Sequence, residues 1–114
     1  MVSHRIDKIN ELIKRELAKL FLKEIDFQTD CLVTITKVQT SKDLEQAKVS
    51  VSILPEDNQE KVLRIINKNI GYLQHLLAKI LVIRQMPKLI IQLDTTEQKA
   101  SRIDEILNQI NQER

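Results

Sequence analysis

One glycine in 114 residues stands where glycine is least suited. Gly71, at the centre of the stretch NKNIGYLQ, lies inside a run from Glu56 to Val82 whose apolar residues recur at helical spacing. In a helix interior glycine costs about 1 kcal/mol against alanine. An unbroken helix over that run would measure about 40 Å at 1.5 Å per residue. A domain of this size has a radius of gyration near about 13 Å, so such a helix overhangs its core unless it breaks. Gly71 accepts backbone angles closed to other residues, and Asn69 tolerates a distorted turn. The sequence therefore predicts a helix-kink-helix, with the kink at Asn69, Ile70 and Gly71.

The remaining elements follow from periodicity. Ile6, Ile9, Ile13, Leu17 and Leu20 form the apolar stripe of a first helix, with Ser3 as its N-cap. CLVTITKVQT is rich in Val, Ile and Thr, as strands are. Its alternation slips at Lys37, which predicts a bulge or an edge. AKVSVSIL alternates cleanly: Ala47, Val49, Val51 and Ile53 face one way, Lys48, Ser50 and Ser52 the other. The short polar SKDLEQ between them predicts an antiparallel hairpin. A third strand, RQMPKLIIQLD, begins at Pro87, where a missing N–H does least harm. Ile103, Ile106, Leu107 and Ile110 mark a C-terminal amphipathic helix over about 97–112, capped by Thr95 or Thr96. The fold expected is a two-layer α+β domain in the order α-β-β-α-kink-α-β plus that helix. Its core covers about 3–94 in a single domain of 1–114. Helices pack on one sheet face, and the other face is polar through Lys48, Ser50, Ser52 and Gln92.

Composition excludes several classes of function. No segment reaches 18 uncharged apolar residues, so no transmembrane helix is expected. The charged start MVSHRIDKINELIKREL has no apolar signal core, and a cytoplasmic protein is expected. Cys31 is the only cysteine, which rules out an internal disulfide and argues against a thiolate zinc site. It reads as a small buried hydrophobe at a strand start. His75 has no cysteine or carboxylate in its own segment, His4 sits at the terminus, and no phosphate loop or nucleophile elbow is present. Neither enzyme, metal nor cofactor is expected.

The net charge of +2 hides an uneven distribution. Six cations, Lys61, Arg64, Lys68, Lys79, Arg84 and Lys88, fall between Lys61 and Leu93 with no carboxylate among them. Such a stretch suits phosphate binding. Lys61, Arg64 and Lys68 share a helix face, and His75 and Lys79 are spaced i, i+4 on the next helix. Lys8, Arg15, Lys19 and Lys23 form a second set on helix one, but Glu11, Glu16 and Glu24 lie nearby and helix pairs account for it. Only Tyr72 offers a stacking ring near the central segment, so shape and phosphate recognition is expected over reading of individual bases.

The order of elements and several local motifs resemble the ribosome-binding factor A family, which has a type II KH-like fold. TITKVQTSKDLEQAKVSVS is similar to its hairpin, with Ser41, Asp43 and Leu44 in the turn. NIGYLQHLLAKILVIRQMPKLIIQLD is similar to its kink and third strand, through Gly71, Leu81, Arg84, Pro87, Leu89 and Asp94. The likeness runs from Arg5 to about Ile110. One residue departs: the family has Ala-x-Gly at the kink, and Asn69 stands in place of the alanine. A KH domain grips nucleic acid with a Gly-x-x-Gly loop, which a chain with one glycine cannot build. The resemblance implies a monomer that binds the free small ribosomal subunit and its rRNA. It further implies a part in late subunit maturation and precursor rRNA processing, with importance in the cold. The alternative is a KH-like protein–protein interaction module, docking through the C-terminal stripe.

Overall fold

A computed structural model describes residues 4–94. The expected cap Ser3 and the expected helix over 97–112 lie outside these residues. The element order is α1 (His4–Glu24), β1 (Leu32–Thr40), β2 (Gln46–Leu54), a 3-10 turn (Glu56–Asn58), α2 (Gln59–Ile80) and β3 (Lys88–Leu93). The expected α+β architecture is present: two helices cover one face of a three-stranded sheet of order β1-β2-β3.

Strand β2 is central because its inward row is the most apolar. Ala47, Val49, Val51 and Ile53 are all fully buried. It pairs antiparallel with β1 and parallel with β3. A parallel pair cannot be joined by a hairpin, and α2 supplies the crossover. Helix α1 covers β1 through Ile9, Ile13, Leu17, Leu20 and Phe21. It ends in a turn where the Asp26 carboxylate accepts from the Gln28 N–H at 2.9 Å, and Gln28 takes a left-handed φ of 59°. Phe27 then folds back edge-on against Phe21, with ring centroids 6.5 Å apart.

The slip expected near Lys37 is a bulge at the neighbouring residue. Ile35 pairs with Val51 and Lys37 with Ser50, leaving Thr36 extra. Its hydroxyl donates to the Asp94 carboxylate at 2.6 Å, across β2. The outer face is polar, as expected, but its centre is not solvated. Ser50 and Ser52 are only 8% and 3% exposed, because β2 has a strand on either side. Gln92 Nε2 donates to Ser50 Oγ at 2.9 Å.

The kink is absent. Helix α2 runs unbroken for 22 residues through Asn69, Ile70 and Gly71, and Gly71 does not have a positive φ. Its buried residues, Val62, Ile66, Leu73 and Leu77, keep one helical phase across the glycine. Asn69 folds its side-chain amide back onto its own helix, donating to the Ile65 carbonyl at 2.8 Å. The overhang argument fails for a geometric reason. The 3-10 turn and the extended Leu81 trim the helix to 22 residues, about 33 Å. Strands β1 and β2 are 9 residues each, about 30 Å long. The sheet is as long as the helix, and an average radius conceals that.

Cys31 is half-buried just before β1. Burial, with a smaller contribution from the Asp30 charge, pushes its thiol above the ordinary value. The reactive species is the thiolate, so at pH 8 Cys31 is expected to react with a thiol reagent more slowly than free cysteine. Equal or faster labelling of the folded protein would contradict the assignment.

Candidate nucleic-acid interface

Because α2 is continuous, its Lys and Arg side chains and His75 form one row. Lys61, Arg64, Lys68, His75 and Lys79 are all exposed. With Gly71 they follow successive steps of three or four residues, which keeps them on one side of a helix. The buried row occupies the opposite side. From Lys61 to Lys79 the row rises about 27 Å. None of these side chains has a carboxylate partner among the described residues. Gly71 is exposed in the middle of the row, with no atom within 4 Å of where a Cβ would stand. There the helix backbone itself reaches the surface, between Lys68 and His75. Tyr72 flanks the row, and its hydroxyl lies 3.4 Å from a Glu24 carboxylate oxygen.

The six predicted cations therefore separate into three places. Lys61, Arg64, Lys68 and Lys79 share the α2 row. Arg84 lies beyond the helix, at a small cavity it lines with Arg5 and Lys8 of α1. Lys88 opens β3, where its backbone N–H donates to the Glu45 carbonyl at 2.9 Å. Its neighbour Leu89 is buried among the core residues, so alternation places Lys88 on the outer sheet face with Lys37 and Lys48. The structure does not bring Lys88 to the surface that carries the α2 row.

Helix one also divides. Glu16 Oε1 accepts from Arg15 at 3.3 Å and from Lys19 at 3.4 Å, so helix pairing explains those two cations. Lys8 is different: it has no acidic partner among the described residues. Arg5 and Lys8 escape a reading by sequence segment. They approach Arg84, near the other end of the described chain, only through the tertiary fold.

Side-chain hydrogen bonds fix the turn between β1 and β2. The Asp43 carboxylate accepts from Ser41 Oγ at 2.6 Å and from the Glu45 N–H at 3.0 Å. Ser41 Oγ in turn accepts from the Gln46 N–H at 3.1 Å. These bonds hold Leu44 at a φ of 61°, a region that leucine rarely enters. The Ser41 hydroxyl, then the Glu45 N–H, keep the Asp43 carboxyl below its ordinary value of 3.8. A depressed carboxylate contributes stability above its unfolded pKa and loses it as pH falls through the lower folded value. Asp43→Ala should thus lower Tm at neutral pH, and the difference from wild type should shrink on acidification below about pH 3. A difference independent of pH would contradict this role.

No group of three or more His, Cys, Asp or Glu side chains that could hold a metal ion is found among the described residues. No helix there is long and apolar enough to cross a membrane.

Comparison with known proteins agrees with this fold. The family model of ribosome-binding factor A matches residues 5–107. The chain is 36% identical over 111 residues to ribosome-binding factor A of Desulforamulus reducens, covering 96% of this chain and 92% of the relative. It is 39% identical over 102 residues to that of Coxiella burnetii, covering 90% and 86%. The crystal structure of ribosome-binding factor A from Thermus thermophilus superposes with a TM-score of 0.67 at 26% identity, over 77% of this chain and 93% of that one. A homology model of the Thermus thermophilus protein, fitted into the cryo-EM map of a 30S complex of ribosome-binding factor A, superposes with a TM-score of 0.61 at 25% identity, over 75% and 91%.

Proposed function

Since this chain belongs to the ribosome-binding factor A family, we propose that it binds the free small ribosomal subunit through rRNA and assists late maturation of that subunit, including processing of its precursor rRNA. The observation that carries this reading is the α2 row, a line of cations about 27 Å long on a rigid helix. No carboxylate among the described residues is paired with it. Phosphate contacts position a protein on nucleic acid without reading its sequence. A row of this kind suits a folded RNA junction held by its backbone. No covalent step is required: the protein acts by holding one conformation of the RNA and then leaving it. A homology model of the Thermus thermophilus relative has been fitted into the cryo-EM map of a 30S complex of ribosome-binding factor A, which supports the same partner here. The protein acts as a monomer in the cytoplasm, and its contribution is largest in the cold.

Co-sedimentation with purified small subunits at several salt concentrations tests the reading. Binding should be present at low salt and fall steeply as salt rises. No binding to free small subunits at low salt would overturn it.

A second reading, docking to a protein, draws on a different surface. Leu22 and Leu32 are 88% and 61% exposed and line an open groove with Phe27 and Val33 between α1 and β1. Apolar docking there would resist salt, and the same titration separates the two modes.

A further inference from the structure

The cavity beside Arg84 has two unlike halves. Its rim carries Arg5 and Lys8 from the first turns of α1, and Arg84 from the segment after α2. The rest of its lining is mostly aliphatic: Ile9, Leu44, Val82 and Ile83, with Gln85. No acidic residue lines it, and none of the three cations has a carboxylate partner among the described residues. Asp43, the nearest acid in sequence to Leu44 along with Glu45, spends its carboxylate inside its own turn. Val82 is 101% exposed, an apolar side chain presented to solvent beside three like charges. Leu44 joins the lining from a left-handed backbone position that the Ser41–Asp43 bonds enforce. Three cations line the cavity and no acid does, a local excess of positive charge that favours an anion.

The volume narrows the choice of anion. About 200 Å³ is below the roughly 300–1,000 Å³ of a small-molecule pocket, so the cavity takes one piece of a larger ligand. Its position supplies the larger ligand. Arg84 follows Lys79, the last cation of the α2 row, by five residues, at most about 18 Å of chain. The cavity therefore lies within about 18 Å of the end of the row.

We propose that this cavity receives a single unpaired nucleotide of an RNA chain. Arg5, Lys8 and Arg84 hold its phosphate, and its base lies on Val82, Ile83 and Leu44. An unpaired base has an apolar face that a duplex hides, which the aliphatic lining can cover and the α2 row cannot. The proposal rests on the RNA-binding reading above and adds to it a preference for an unpaired residue beside a helical segment.

Three RNA hairpins of equal length test it by fluorescence anisotropy: one fully paired, one with a single bulged nucleotide, and one with the same bulge made abasic. Wild-type protein should bind the bulged hairpin roughly tenfold more tightly than the paired one, and the abasic bulge should lose most of that gain. Val82→Ser should remove the gain from the base. Arg5→Gln with Arg84→Gln should flatten the salt dependence by about 0.7 for each phosphate left without its cation. All these positions are exposed, and a Tm within a few degrees of wild type confirms that the variants fold. Equal binding of paired and bulged hairpins by wild type overturns the proposal, as does a full preference retained by both variants. A preference that survives in the abasic hairpin also overturns it, since an anion site alone would suffice. The small-subunit reading is judged separately. Wild type that sediments with subunits but ignores the bulge defeats the cavity alone. Wild type that prefers the bulge but does not sediment defeats the subunit assignment and leaves the cavity standing.

Discussion

Replacing Lys61, Arg64 and Lys68 with alanine is expected to weaken binding to small subunits steeply while leaving the fold intact. All three side chains are exposed on the side of α2 opposite its buried row. Surface changes of this kind shift stability by about 0.5 kcal/mol or less each. Each phosphate left without its cation should lower the slope of log K against log salt by roughly one unit, so the slope of the triple variant should fall by up to about three. Adding Lys79→Ala should continue the trend, because the unbroken helix carries Lys79 on the same row. As controls, Lys37 and Lys48 on the outer sheet face should change the slope little when replaced. A folded triple variant with the slope of wild type would reduce the row to a solvated helix face.

Two substitutions in the same helix, two residues apart, are expected to move stability in opposite directions. Leu73 is fully buried in the core, and Leu73→Ala removes its packing and leaves a cavity, at a cost of about 2–5 kcal/mol. That is a large share of the roughly 5–15 kcal/mol that holds a domain together, and Tm should fall by about 10 °C or more. Gly71→Ala should instead raise stability by up to about 1 kcal/mol. The added methyl meets nothing within 4 Å, and an alanine restricts the unfolded chain more than glycine does. Thermal melts of both variants decide the matter. A marked loss of stability in Gly71→Ala would restore the break that the structure replaces with a continuous helix.

Legibility in the sequence followed the range of the forces involved. The alternation of β2 and the apolar stripes of α1 and α2 are local patterns, and each element appears where its pattern lies. The bulge was visible as a lapse in alternation and fell one residue from the place expected, at Thr36. Gly71 misled because propensity is a weak bias: about 1 kcal/mol against a helix is easily offset by burial of Ile66, Leu73 and Leu77 on one continuous face. The same error split the cation row in two, leaving Lys79 apart from Lys68. Arg5 and Lys8 could not be joined to Arg84 from sequence, since only the packing of α1 beside the segment after α2 brings them together. Nor could Lys88 be separated from the row, because its side of the sheet depends on strand pairing.

The bond between Thr36 and Asp94 has a mechanical consequence. Strand β3 is a six-residue edge strand, and an edge strand gripped only by its one neighbour can be peeled away a hydrogen bond at a time. Here its far end is tied twice: the Asp94 N–H donates to the Val51 carbonyl at 2.7 Å, and its carboxylate accepts from Thr36 on the opposite edge. A pull applied to the chain beyond Asp94 is therefore shared by all three strands from the first instant.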